Sequence, residues 1–205
     1  MDAFIQACIH LDPIALVKTG GYLGIALIVF AESGVLIGIF FPGDSLLFTA
    51  GLLSAGGFLS MPILVLTVVV SAILGDSVGY WFGKKVGTNL FTREDSRFFK
   101  QSYVTRTQIF FAAYGKRAIV LARFVPIVRT IAPILAGVGT MSYRKFLSYN
   151  VIGGVAWGAG MTLLGFSLGS LIPSSEKYVL PIAIVIIILS FFPILISYIR
   201  DRRAV

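Results

Sequence analysis

Between Met61 and Gly83 the chain runs through 23 residues carrying one charge, Asp76. Two later stretches, 146–171 and 178–199, carry none. Apolar runs of this length match the hydrocarbon core of a bilayer, where backbone polar groups are satisfied inside helices. The whole chain agrees: 57% of its 205 residues are hydrophobic and 13% are charged, half the share usual in soluble domains. The expectation is an all-α integral membrane protein.

The formal net charge is +8. Its cations sit in short connecting segments, which reads as orientation by the positive-inside rule and not as a nucleic-acid surface. Lys84-Lys85 directly after the 61–83 span place that end in the cytoplasm, as does the tail Arg200-Asp201-Arg202-Arg203 after the 178–199 span. The single cysteine, Cys8, excludes an internal disulfide. The single histidine, His10, lies in a terminal segment. Neither a histidine-dependent phosphatase nor a metal centre is expected from this inventory, so the reading is a non-enzyme without cofactors.

Residues 1–19 suit a short interfacial helix that Asp12-Pro13 interrupts. Residues 20–60 form a long apolar segment with two charges, Glu32 and Asp44, split by Pro42-Gly43. Two readings fit: two full spans with a turn at Pro42-Gly43-Asp44, or a re-entrant hairpin. Residues 84–117 hold many cations interleaved with Phe91, Phe98, Phe99 and Tyr103, and Thr92 with Asp95 resembles a capping box. This segment reads as an amphipathic helix on the cytoplasmic surface. Gly75, Gly79, Gly83 and Gly87 recur every four residues, a ridge that admits another backbone closely.

Residues 118–143 are apolar yet contain Arg123, Pro126, Arg129 and Pro133. A full crossing would bury two arginines at about 2.5–3.5 kcal/mol each. It would also strand Arg144-Lys145 outside. A re-entrant hairpin breaking near Pro126 avoids both. The two unusual segments echo each other: an aromatic precedes a proline, a charge follows it, and Ala50-Gly51 or Ala136-Gly137 comes later. Each is followed by a glycine-rich span with a tryptophan, Trp81 or Trp157. That pattern predicts an inverted repeat of two opposed re-entrant hairpins, with about three full transmembrane helices completing one domain.

Glu32 and Asp44 then face Arg123 and Arg129 as the charges in need of partners. Intramembrane charges mark substrate or proton paths. The arginine fork suits phosphate, and a carboxylate in a dry site is a candidate proton carrier. Two arginines and two acids fit an anionic head group exchanged against protons. Pairs that only lock the hairpins together are the structural alternative. Asp76 is expected to meet a nearby cation or to cap the glycine groove.

These residues resemble a known family. Phe41-Pro42-Gly43-Asp44-Ser45 with Glu32 upstream, Gly75-Asp76 with Gly79-Tyr80 and Gly83, and Arg123-Phe124-x-Pro126-x-x-Arg129-Thr130 with Pro133 and Ala136-Gly137 are similar to the DedA family of VTT-domain proteins. Asn150, Gly153 and Trp157 extend the match. The resemblance implies a multi-pass protein of the bacterial inner membrane that serves proton-motive-force-dependent envelope homeostasis. Some bacterial members translocate undecaprenyl phosphate, and eukaryotic relatives scramble phospholipids. It assigns the working roles to Glu32, Asp44, Arg123 and Arg129; Pro42, Gly43, Ser45, Asp76, Pro126, Thr130 and Asn150 are read as supporting them. The expected partners are a phosphate-headed membrane lipid and protons, with a homo-oligomer allowed. A proton-coupled carrier of a small solute or cation, and a general phospholipid scramblase, are the competing functions.

Overall fold

The computed structural model describes residues 12–34, 43–86, 115–139 and 141–171. Among them are six α-helices and no strand: α1 Pro13–Gly34, α2 Gly43–Ala55, α3 Met61–Val86, α4 Ala118–Ala122, α5 Pro126–Val138 and α6 Tyr143–Leu171. Three are long and apolar enough to cross a bilayer: Pro13–Gly34, Met61–Lys85 and Tyr143–Leu171. The expected spans at 61–83 and 146–171 coincide with two of these. The expected span at 178–199, the surface helix over most of 84–117 and the apex at Phe41-Pro42 lie outside the described residues.

The chain divides into two compact units, each built from several segments. Unit one takes residues 1–25, 42–67 and 160–205; unit two takes 26–41 and 68–159.

In unit one, α1 begins at Pro13, directly at the Asp12-Pro13 boundary. Asp12 Oδ1 accepts hydrogen bonds from the Ile14 and Ala15 N–H groups at 2.9 and 3.2 Å. Asp12 is thus an N-cap, and proline at the first helical position forfeits only an N–H that has no intrahelical partner. Residues 13–19 therefore belong to the first long helix and not to a separate interfacial one. Gly21 kinks it, with φ +52° and ψ −149°. That conformation is essentially restricted to glycine.

Helix α2 follows Pro42 and carries Asp44 in its first turn, where a negative charge complements the helix dipole. Its 13 residues reach about 20 Å at 1.5 Å per residue, short of a hydrocarbon core of roughly 30 Å. It ends in a Schellman turn. Gly57, at φ +81°, donates to the Ser54 carbonyl, and Phe58 N–H reaches the Leu53 carbonyl at 3.1 Å. Ser60 N–H then donates to Tyr22 Oη at 2.6 Å, tying the start of α3 to α1. The seam between α2 and α6 is a reciprocal backbone contact. A methyl on Gly51 would collide with the Thr162 carbonyl oxygen, and one on Gly165 would collide with that of Phe48.

Unit two repeats this seam between α5 and α3. A methyl on Gly137 would collide with the Tyr80 carbonyl oxygen, and one on Gly83 with that of Ile134. In both units each glycine lies three residues after the carbonyl its partner helix touches. The expected glycine ridge is therefore real: Gly75 abuts Phe30 and Gly34, Gly79 meets Pro133, and Gly83 meets Ile134. Gly87 lies outside the described residues.

Helix α4 breaks after Ala122 into a turn in which Arg123, Phe124 and Val125 N–H groups bond carbonyls three residues back. Val125 is extended, at φ −122° and ψ 107°, as a residue before proline prefers. Pro126 then opens α5. The core beside this turn stacks Tyr80 on Phe146, ring centroids 4.7 Å apart, with Ile119 and Ala136 against them.

Candidate functional site

Arg123 falls at the break between α4 and α5, and Arg129 in the first turn of α5. Both are buried, at 2% and 6% exposure. A guanidinium stays charged at any working pH, so both must find acceptors inside the fold.

Arg129 Nη2 donates to Glu32 Oε1, from the last turn of α1; Glu32 is 1% exposed. Arg123 Nη2 donates both to Asp76 Oδ2 on α3 and to Asn150 Oδ1 on α6. Asn150 in turn donates from Nδ2 to the Ile73 carbonyl at 3.2 Å, which fixes which way its amide points. The same carbonyl accepts the Ser77 hydroxyl at 2.7 Å. Arg123 is thus held from two helices at one nitrogen. Among the described residues its Nε and Nη1, and Asp76 Oδ1, have no hydrogen-bond partner.

The expected pairing of arginines with acids is present, with a different membership. Glu32 meets Arg129, but Asp76 is the carboxylate that meets Arg123. Asp44 stands in the first turn of α2 in unit one, followed by buried Ser45. Gly43 opens that helix and Pro42 lies outside the described residues. Thr130 is buried next to Arg129 on α5, and Pro126 opens that helix.

Two contacts of the arginines escaped the sequence reading. Trp157 on α6 is buried, with the Arg129 Cζ 4.9 Å and the Arg123 Cζ 6.0 Å from its ring centroid. Both cations therefore share one aromatic ring, whose quadrupole offsets part of their mutual repulsion. Gly153 is the second. A methyl there would lie 3.0 Å from Arg123 Cδ and 3.2 Å from its Nε, so the side chain passes where α6 has none. The sequence pointed to both residues only as an extension of the family match, without their place beside the arginines.

Counting Glu32, Asp76, Arg123 and Arg129, the cluster has zero net charge. Such a cluster exerts no net charge attraction on an anion unless one acid is neutralised or displaced. No group of three or more histidine, cysteine, aspartate or glutamate side chains suited to a metal ion occurs among the described residues.

The VTT domain model matches residues 41–167. The chain is 39% identical to Protein DedA of Escherichia coli K12 over 207 residues, covering 100% of this chain and 94% of that one. It is 49% identical over 183 residues to an uncharacterised membrane protein of Mycobacterium tuberculosis H37Rv, covering 88% and 80% of the two chains. It is also 33% identical over 148 residues to Inner membrane protein YqjA of Escherichia coli K12, covering 72% and 67%. No solved structure matches. With a domain match over more than half its length and a full-length likeness to DedA, the chain belongs to the DedA family of VTT-domain membrane proteins.

Proposed function

We propose that the protein is a proton-coupled flippase for a lipid phosphate, with undecaprenyl phosphate the foremost substrate, and that it supports envelope homeostasis without acting as an enzyme. The single observation that carries this reading is the buried, net-neutral cluster of Glu32–Arg129 and Asp76–Arg123 beside Trp157. A proton on Glu32 releases the charge of Arg129 for a phosphate oxygen. Proton and anion then occupy the cluster together, so loading strengthens as the pH on the loading side falls. Arginine suits this task because its planar fork can address two phosphate oxygens at once. Asp44, in the first turn of α2, is proposed as a further proton carrier.

The membrane arrangement proposed is a pair of opposed re-entrant hairpins related as an inverted repeat. Two features support it. Helices α2 and α5 are each 13 residues long, too short to cross alone, and each begins at or just after a proline. Each also packs through an Ala-Gly glycine into the reciprocal seam described above, once in each unit. The proposal includes an inner-membrane location with a cytoplasmic C-terminus, a reading that the basic tail and the likeness to Inner membrane protein YqjA support.

The test is reconstitution in liposomes with a labelled polyprenyl phosphate and an imposed pH gradient. Movement of the lipid that follows the gradient, and that is lost in Arg129→Lys, supports the proposal. Gradient-driven uptake of a small solute with no lipid movement replaces it with a solute carrier. Lipid movement indifferent to the gradient replaces it with a scramblase.

A further inference from the structure

The charged cluster leaves a second group of cations unused. Eight residues beyond Asp76 on α3, about 12 Å along the helix axis, the ammonium of Lys84 lies 5.0 Å from the centroid of the Trp81 ring. Trp81 is half exposed, and the Tyr143 ring at the start of α6 is 5.4 Å from it. Lys85 follows Lys84, and Arg144 and Lys145 follow Tyr143; all four cations are exposed. The acids described in unit two are Glu32 and Asp76, both buried and committed to Arg129 and Arg123. None of the four exposed cations therefore has an acidic partner among the described residues.

The aromatic block beside Lys84 is held in place. Tyr80 donates from Oη to the Met141 carbonyl at 2.5 Å, and the Tyr143 hydroxyl donates to Ser77 Oγ at 3.2 Å. Trp81 sits edge-on to Tyr80, ring centroids 5.8 Å apart. A diffuse excess of lysine and arginine, enough to orient a helix, requires no such support. Fixed rings with Lys84 over one of them, and three further exposed cations next to these residues in the sequence, match instead the basic recesses between spans that hold acidic lipid headgroups.

We infer that the basic end of α3 and the start of α6 form a seat for one anionic phospholipid of the surrounding bilayer, separate from the Arg123–Arg129 cluster. The phosphate engages Lys84, Lys85, Arg144 and Lys145, while Trp81 and Tyr143 carry the glycerol and upper acyl region. Charge complementarity fixes the occupant: a zwitterionic lipid brings its own cation and gains little from four more.

The test uses the full-length protein purified in detergent and supplied with phosphatidylglycerol or phosphatidylcholine, with bound lipid counted by native mass spectrometry. The wild type is expected to retain one phosphatidylglycerol and no phosphatidylcholine. Retention should weaken about fivefold for each cation replaced in Lys84→Gln and Lys145→Gln. Trp81→Leu, which leaves the net charge intact, should also weaken it, whereas a purely diffuse charge effect leaves that variant unchanged. Equal retention of both lipids, or wild-type retention in the lysine variants and in Trp81→Leu, overturns the inference. Loss of the lipid in Arg129→Lys with retention in Lys84→Gln also overturns it, by placing the lipid at the central cluster.

Discussion

Glu32 and Arg129, 97 residues apart in the sequence, meet as a buried ion pair between the end of α1 and the start of α5. Removing one member of such a pair leaves a desolvated charge, at a cost of about 3–5 kcal/mol. Glu32→Gln should therefore lower the unfolding midpoint in detergent, and it should leave any residual headgroup binding independent of pH. The double variant Glu32→Gln/Arg129→Gln should recover most of the stability and none of the transport. Transport at wild-type rate in the double variant would reduce the pair to a structural lock.

Asp76→Asn tests the second pair. It keeps the shape of the side chain and one acceptor oxygen while removing the carboxylate facing Arg123. Unfolding should become easier by about 3 kcal/mol, within the range for breaking a buried pair. Asn150→Asp in the same background restores a negative charge beside Arg123 Nη2 and should return part of the loss. Thermal unfolding of the two variants beside the wild type decides it.

Trp157 lies beside both guanidiniums, so aromaticity at that position should matter more than bulk. A desolvated cation–π contact is worth about 2 kcal/mol, which corresponds to roughly thirtyfold. Trp157→Leu should slow transport by about that factor, and Trp157→Phe by distinctly less. Equal rates in the two variants would show that the ring acts only by filling space.

The glycines separate by sign. Gly51→Ala and Gly137→Ala each press a methyl into a carbonyl of the neighbouring helix and should each cost about 1–3 kcal/mol. Gly21→Ala should cost a similar amount through its positive φ, although nothing crowds it. Gly160→Ala meets open space on α6 and should stabilise by up to about 1 kcal/mol. Unfolding midpoints in one detergent measure all four, and a stabilised Gly137→Ala would contradict the seam between α3 and α5.

Much of this was written in local pattern. Apolar length located α3 and α6, and Pro126 beside two arginines located the break between α4 and α5. The four-residue glycine spacing announced the face of α3 that backbones approach. Asp12-Pro13 was ambiguous because the same dipeptide ends one helix and caps the next; only the hydrogen bonds from Ile14 and Ala15 to Asp12 decide which. The partner of Arg123 was not legible. Choosing among Glu32, Asp44 and Asp76 depends on which helices lie side by side, and charge alone ranks the three equally. The place of Trp157 was hidden for the same reason, since its neighbours come from α5 and the turn before it.

The zero sum of Glu32, Asp76, Arg123 and Arg129 has an electrical consequence. A transmembrane voltage acts on net charge, at about 2.3 kcal/mol per elementary charge per 100 mV. The empty cluster offers the field nothing to pull on. In the proposed cycle one proton and one singly negative phosphate also cancel, which leaves the loaded cluster just as insensitive. On this arithmetic the proposed coupling draws on the concentration of protons on each side, and a potential imposed without a pH difference should leave a monoanionic cargo where it is.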